Sequence, residues 1–185
     1  MKVTFVKERH RYLVYVQRDR APDLFCHGPG YDDDLPHDVL HFVAEAELGL
    51  DGAVFGDLAA GGNAKIFIPV DKSLVARTWR RQRIRRHVLP DGRQSEELAA
   101  LLHAAWRARH SDDPRIARLI PRLDALAKRW RTLQVGGSLT LEWPRAERGK
   151  RAARRASAED GARRTARFAA PSRRGAGRAA RARPS

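Results

Sequence analysis

One cysteine, Cys26, serves the whole chain. It excludes an intramolecular disulfide and suits a reducing compartment, so a cytoplasmic protein is expected. Long apolar runs are missing as well. The opening "MKVTFVKERH" lacks the core of a signal peptide, and no stretch approaches the ~20 apolar residues of a membrane span. No membrane partner is expected.

Positive charge is absent from one region and concentrated in others. Residues 21–64 hold no Lys or Arg against nine acids, whereas residues 72–131 hold 16 basic residues against 6 acids. Residues 144–185 carry 14 basic residues against 3 acids, which is 11 of the net +15. That terminal stretch contains Phe168 as its single aromatic and no Leu, Ile or Val. It cannot bury enough apolar area to offset chain entropy. We therefore expect a folded domain over residues 1–143 and a disordered Arg/Ala-rich basic tail over 144–185. The tail is a candidate for non-specific contact with nucleic acid or another polyanion. Arg outnumbers Lys by 31 to 6, as a GC-rich genome yields without selection, so composition alone gives the arginines no role.

Regular structure is legible in what remains. "KVTFV", "RYLVYVQR" and "DLFCHG" read as three strands of a meander, rich in Val, Tyr and Phe. In the second, Leu13 and Tyr15 face one way, with Tyr12, Val14 and Val16 facing the other. Both sets are apolar, so cover is expected on each side of the sheet, at least in part. "YDDDLPHDVLHFVAEAELG" predicts a helix capped by Asp33 or Asp34, with Pro36 in its first turn and Gly49 as its stop. "DGAVFGDLAA" predicts a short helix whose glycines serve tight packing. "AKIFIPV" predicts a strand or extended link, and "DKSLVARTWRRQRIRRHV" a basic helix ending before Pro90.

Two further helices have clear apolar stripes. "SEELAALLHAAWRARH" has Ser95 as cap, with Glu96 and Glu97 near the positive end of the helix dipole. "DDPRIARLIPRLDALAKRWRTLQVGG" starts at Asp112 or Asp113, and Pro121 should kink or split it. Trp106 and Trp130 fall on core stripes. "SLTLEW" alternates as a half-buried strand and should return to the N-terminal sheet. The expected fold is α+β: a small antiparallel sheet, built from the meander and a C-terminal strand, packed with four or five helices.

Residues 35–49, "LPHDVLHFVAEAELG", carry the most chemistry. On a helix, Leu35, Val39, Phe42, Val43 and Ala46 cluster on one side, while His37, His41 and Glu45 lie opposite at i, i+4 and i+8. Two histidines four apart can present ring nitrogens to one divalent ion, as in H-E-x-x-H, where the Glu is a general base. Here Asp38 holds the Glu position, one methylene shorter. On this reading His37 and His41 are metal ligands for zinc or another divalent ion, and Asp38 and Glu45 are the catalytic candidates. Glu45 follows the histidines straight along the helix, so a better third ligand comes from elsewhere: His27, Cys26 or an acid of "DDD". Two other readings stand beside it. The face is solvated, or it docks the basic helix of Thr78 to His87 through charge complementarity, with Trp79 and Ile84 in the contact.

Residues 29–62, "PGYDDDLPHDVLHFVAEAELGLDGAVFGDLAAGG", resemble the signature stretch of a family of small, uncharacterised bacterial proteins of actinomycete type. The pattern is P-H-D-x-x-H-F-x-x-E-x-x-L-G. The resemblance implies a folded bacterial domain and directs attention to His37, Asp38, His41 and Glu45; it implies no activity.

"RTWRRQRIRRHV" supplies Arg80, Arg81, Arg83, Arg85 and Arg86 as candidates for nucleic-acid contact. "GLDGAVFGDLAAGG" matches neither a phosphate loop nor a dinucleotide fingerprint. Adjacent Cys26 and His27 in a strand point to opposite faces, which argues against a nucleophile–base pair. Two functions are expected as alternatives. One is a cytoplasmic non-enzymatic binding or regulatory protein contacting protein or nucleic acid. The other is a small metal-dependent hydrolase using the His-Asp-x-x-His helix.

Overall fold

A computed structural model describes residues 1–28, 34–84 and 89–144, with backbone alone at residue 79 and over 81–84. The expected disordered tail, apart from Pro144, lies outside the described residues.

Five antiparallel strands form one sheet in the order β4-β3-β2-β1-β5. They are β1 (Lys2–Lys7), β2 (Tyr12–Gln17), β3 (Leu24–Gly28), β4 (Ile68–Pro69) and β5 (Ser138–Glu142). The C-terminal strand returns beside β1, pairing Phe5 with Leu139 and Val3 with Leu141. The α+β architecture expected from the sequence is the one observed. Side chains alternate as the period of two requires. Val3, Phe5, Tyr12, Val14, Val16, Leu24, Leu139 and Leu141 point into the core and are buried. Leu13, Tyr15 and Phe25, on the other face, remain half-buried.

The helices are α1 (His37–Leu48), α2 (Val54–Ala59), α3 (Val75–Ile84), α4 (Gly92–Ala108), α5 (Pro114–Ala117) and α6 (Ile120–Thr132). The long pattern around Pro121 divides into α5 and α6, and Pro121 sits in the first turn of α6, where a missing N–H costs nothing. Aromatic rings join α1 and α2 to the sheet. Phe42 meets Phe5 at 6.5 Å, Phe55 at 5.2 Å and Trp143 at 5.5 Å, all edge-on. Trp106 and Trp130 are core residues, as their stripes require.

Two start signals differ from expectation. Pro36, not Asp34, occupies the cap position of α1, with no side-chain cap. Asp34 instead accepts hydrogen bonds from Arg107 on α4 and Arg131 on α6. Similarly, α4 starts at Gly92, so Ser95 lies inside the helix and is buried. In both cases a tertiary partner outcompetes the local cap.

Acidic and basic halves of the domain pair, among the described residues, through arginines of α4 and α6, while most side chains of the expected docking helix, Thr78 to His87, lie outside the described residues. Glu47 of α1 meets Arg122 of α6, and Asp34 takes Arg107 and Arg131. The helices lying against α1 are α4 and α2, whereas α3 packs on β4 and the 3-10 turn Lys72–Leu74. Helix α4 presents Ser95 to Glu45 and Arg107 to Asp34, so it runs opposite to α1.

Candidate metal centre

The apolar stripe of α1 faces the sheet, and α4 covers the side expected to face solvent. Every residue from Val39 to Ala46 is consequently buried. His41 is 5% exposed and Glu45 0%. The expectation of a solvated His/Glu face is thus corrected: only His37, at the open end of the helix, reaches solvent, with its side chain 51% exposed.

A buried carboxylate at the back of this face requires donors, because desolvation otherwise expels its charge. Glu45 has three. Its Oε2 accepts the Phe55 N–H at 2.7 Å and the Gly56 N–H at 3.4 Å. Its Oε1 accepts the Ser95 hydroxyl at 2.7 Å. Phe55 and Gly56 belong to the first turn of α2, whose own cap residue, Ala53, has no side-chain acceptor. Glu45 therefore caps a neighbouring helix across space and meets the positive end of its dipole. Gly56 lets the start of α2 pack on the preceding turn, since a Cβ there would stand 2.4 Å from the Asp51 carbonyl oxygen. Burial pushes the Glu45 carboxyl up to about 7, opposed by the bonds from Ser95 and the backbone.

The hydroxyl of Ser95 has one proton. Donating it to Glu45 leaves the oxygen to accept from His41 Nδ1, 2.8 Å away. This assigns His41 the tautomer protonated at Nδ1, with the Nε2 lone pair directed outward. Burial lowers the His41 pKa, with the nearby Glu96 carboxylate acting in the opposite sense. A neutral ring is what metal ligation needs. Such histidines ordinarily donate their second N–H to a carboxylate or a group that a carboxylate holds, and Glu45–Ser95–His41 forms that chain.

On the outward side three donor atoms converge. His37 Nε2 lies 3.0 Å from His41 Nε2, and the rings meet at 83°. Glu96 Oε2 stands 3.4 Å from His41 Nε2 and 4.0 Å from His37 Nε2. Zinc–nitrogen bonds of about 2.0–2.1 Å at a tetrahedral ion separate neighbouring donors by about 3.3 Å. The three observed separations bracket that value. Among the described residues, this is the one group of His, Cys, Asp and Glu side chains with such convergence.

Of the residues singled out in the sequence, His37 and His41 come together as expected. The third donor is Glu96, which the sequence reading assigned to the helix dipole. No local pattern links it to the histidines, because α4 reaches α1 only through the tertiary fold. The other described candidates for third ligand point elsewhere. His27 lies on the opposite sheet face with Glu8 Oε2 at 3.6 Å. Cys26 faces inward, and burial pushes its thiol up to about 12. Asp34 is held by two arginines, and residues 32 and 33 lie outside the described residues.

The two catalytic candidates have structural partners. Glu45 is enclosed as described, and Asp38 Oδ2 accepts the hydroxyl of Tyr12 at 2.9 Å. Tyr12 is fully buried in β2, and burial beside Asp38 raises its pKa, keeping the phenol a donor. Of the nucleic-acid candidates, Arg80 is exposed on α3. The side chains of Arg81 and Arg83, and Arg85 and Arg86 entirely, lie outside the described residues. No helix among the described residues is long and apolar enough to cross a membrane. No protein-family model, curated protein or solved structure matches this chain.

Proposed function

We propose that this protein binds one divalent transition-metal ion through His37, His41 and Glu96. The convergence of three donor atoms at 3.0, 3.4 and 4.0 Å carries the reading. Two imidazoles and one carboxylate favour zinc and neighbouring ions over magnesium or calcium, which prefer all-oxygen sets. Three protein ligands leave a fourth position for water or an incoming group. Such an ion supplies Lewis acidity and a more acidic bound water.

Metal-responsive binding, rather than hydrolysis, is the better reading of that centre. A hydrolase needs an acid or base free to move a proton, and Glu45 and Asp38 are engaged with α2 and Tyr12. A cytoplasmic setting fits the lone, buried Cys26 thiol. Kinship with the actinomycete-type family is proposed on the same grounds: its P-H-D-x-x-H-F-x-x-E stretch supplies His37, His41 and the supporting Glu45. Chains sharing that stretch should also carry Ser-Glu near the start of the helix that packs on it.

The test is metal content, by elemental mass spectrometry, of full-length protein purified after zinc supplementation and gel filtration. The expected result is one zinc per chain, lost in His37→Ala and His41→Ala and weakened at least tenfold in Glu96→Gln. Metal-free wild-type protein after supplementation overturns the proposal.

A further inference from the structure

The β4–α3 edge of the domain sets exposed cations beside exposed aliphatic side chains. Elsewhere many arginines meet carboxylates: Arg107 and Arg131 on Asp34, Arg122 on Glu47, Arg109 on Asp124. Along this edge Lys65, Lys72, Arg77 and Arg80 are all exposed. None of the four has a carboxylate within ion-pair distance among the described residues. Cations without an ion pair do not by themselves mark this edge, since Lys128 and Arg129 on α6 are also exposed with none among the described residues.

Two large aliphatic side chains stand out between these cations. Ile66 is 58% exposed and Val70 44%. Ile66 sits in a turn whose two preceding residues, Ala64 and Lys65, adopt left-handed backbone angles with φ of 46° and 65°. That conformation is costly for residues with a Cβ and persists only where surroundings enforce it. Here they do. The Ala64 N–H donates to Asp57 Oδ2 at 2.8 Å, the Phe67 N–H donates to the Asn63 carbonyl at 3.0 Å, and Ala64 and Phe67 are buried. The turn is anchored at both ends and presents Lys65 and Ile66 outward.

We propose that this edge docks on an anionic phospholipid surface, with Lys65, Lys72, Arg77 and Arg80 at the headgroups and Ile66 and Val70 at the acyl boundary. Charge complementarity selects a phosphate-bearing partner, and the aliphatic pair selects lipid over nucleic acid. Single-strand readers stack bases on aromatic rings, whereas the exposed large apolar side chains among the described residues are all aliphatic. Basic residues flanking an apolar tip are the composition of a peripheral contact, which needs no spanning helix.

The experiment uses the full chain carrying Ile66→Cys labelled with an environment-sensitive dye. Cys26 is buried with its thiol pushed up to about 12, so labelling is selective. Phosphatidylglycerol-containing vesicles should shift the emission to the blue, while pure phosphatidylcholine vesicles should not. Neutralising all four cations to Gln in the labelled chain should weaken this response at least tenfold. Vesicle binding without a spectral shift would mean that the basic terminal segment alone makes the contact, and overturns the proposal. So does an equal shift with duplex DNA at matched phosphate, which would assign the edge to nucleic acid. Circular dichroism of each variant confirms that the fold is retained, and Val70→Asn in the labelled chain provides a second, independent loss of response.

Discussion

Glu45 of α1 accepts the Phe55 N–H of α2 at 2.7 Å and so caps a helix to which it does not belong. The same carboxylate holds Ser95 of α4 through its other oxygen. One buried side chain thereby ties three helices together at the back of the proposed metal centre.

That position makes stability depend on pH in a defined sense. Burial raises the Glu45 pKa from 4.5 to about 7. A carboxyl whose folded pKa is raised contributes stability that is fully present below its unfolded pKa and is lost as pH rises through the folded value. Relative to Glu45→Gln, which keeps an acceptor without the charge, wild-type protein should lose stability between about pH 4.5 and about pH 7. The span corresponds to a loss on the order of 3 kcal/mol. Glu45→Ala should be worse than either at every pH, because it leaves the α2 N–H groups and Ser95 unsatisfied, at about 2–4 kcal/mol. Urea denaturation across that pH range, performed on metal-free protein, measures both.

Ser95 separates a packing role from a ligand-orienting one. Ser95→Ala removes the acceptor for His41 Nδ1–H and the donor to Glu45 Oε1, whose bonds measure 2.8 and 2.7 Å. Zinc affinity should fall about 10- to 100-fold, with all three proposed ligands still present. The diagnostic readout is the nitrogen-15 chemical shift of the His41 ring. In wild-type protein it should report the tautomer protonated at Nδ1, and in the variant a mixture. A variant with unchanged tautomer and undiminished affinity would show that Ser95 merely fills space.

Much of the fold could be read in the sequence because it rests on local periodicity. The alternation of Leu139, Leu141 and Trp143 marks β5, and the stripes through Trp106 and Trp130 mark α4 and α6. The candidate site was half legible for the same reason. His37 and His41 lie four apart on one helix, so their proximity is a local fact, whereas Glu96 joins them only because α4 packs on α1. The burial of His41 and Glu45 does not follow from the helical wheel, which shows one apolar stripe and does not say whether a second helix covers the other side. What compensates Glu45 inside the protein is backbone N–H, which is invisible in side-chain patterns. Asp34 and Ser95 resemble caps in sequence but are recruited to Arg107 and Glu45 by contacts between distant elements.

The aromatic junction of α1, α2 and the sheet should dominate core stability. Phe42 is fully buried and touches the rings of Phe5, Phe55 and Trp143. Phe42→Ala should cost about 3–5 kcal/mol. Phe42→Leu should cost less, since it retains much of the buried volume. Because only the folded chain assembles the three donors, the alanine variant should also reduce apparent zinc affinity in proportion to the fraction unfolded. Addition of saturating zinc should then restore part of the lost melting temperature by mass action.

The Tyr12–Asp38 bond fixes the start of α1 against the sheet, and a glycine makes room for it. Gly28 is the direct partner of Tyr12 in the β2–β3 pairing, and a Cβ at Gly28 would come within 2.1 Å of the Tyr12 ring. Gly28→Ala must therefore displace the ring, and with it the hydroxyl that donates to Asp38 at 2.9 Å. Tyr12→Phe removes that bond while leaving the packing intact, at about 1–2 kcal/mol. If the bond positions α1, both variants should lower zinc affinity through His37, which precedes Asp38 and has the less enclosed ring of the two histidines. Combining Gly28→Ala with Tyr12→Phe should then cost less affinity than the sum of the single changes. Calorimetric zinc titration of the three variants measures that coupling, and strict additivity would mean that the two residues act on α1 independently.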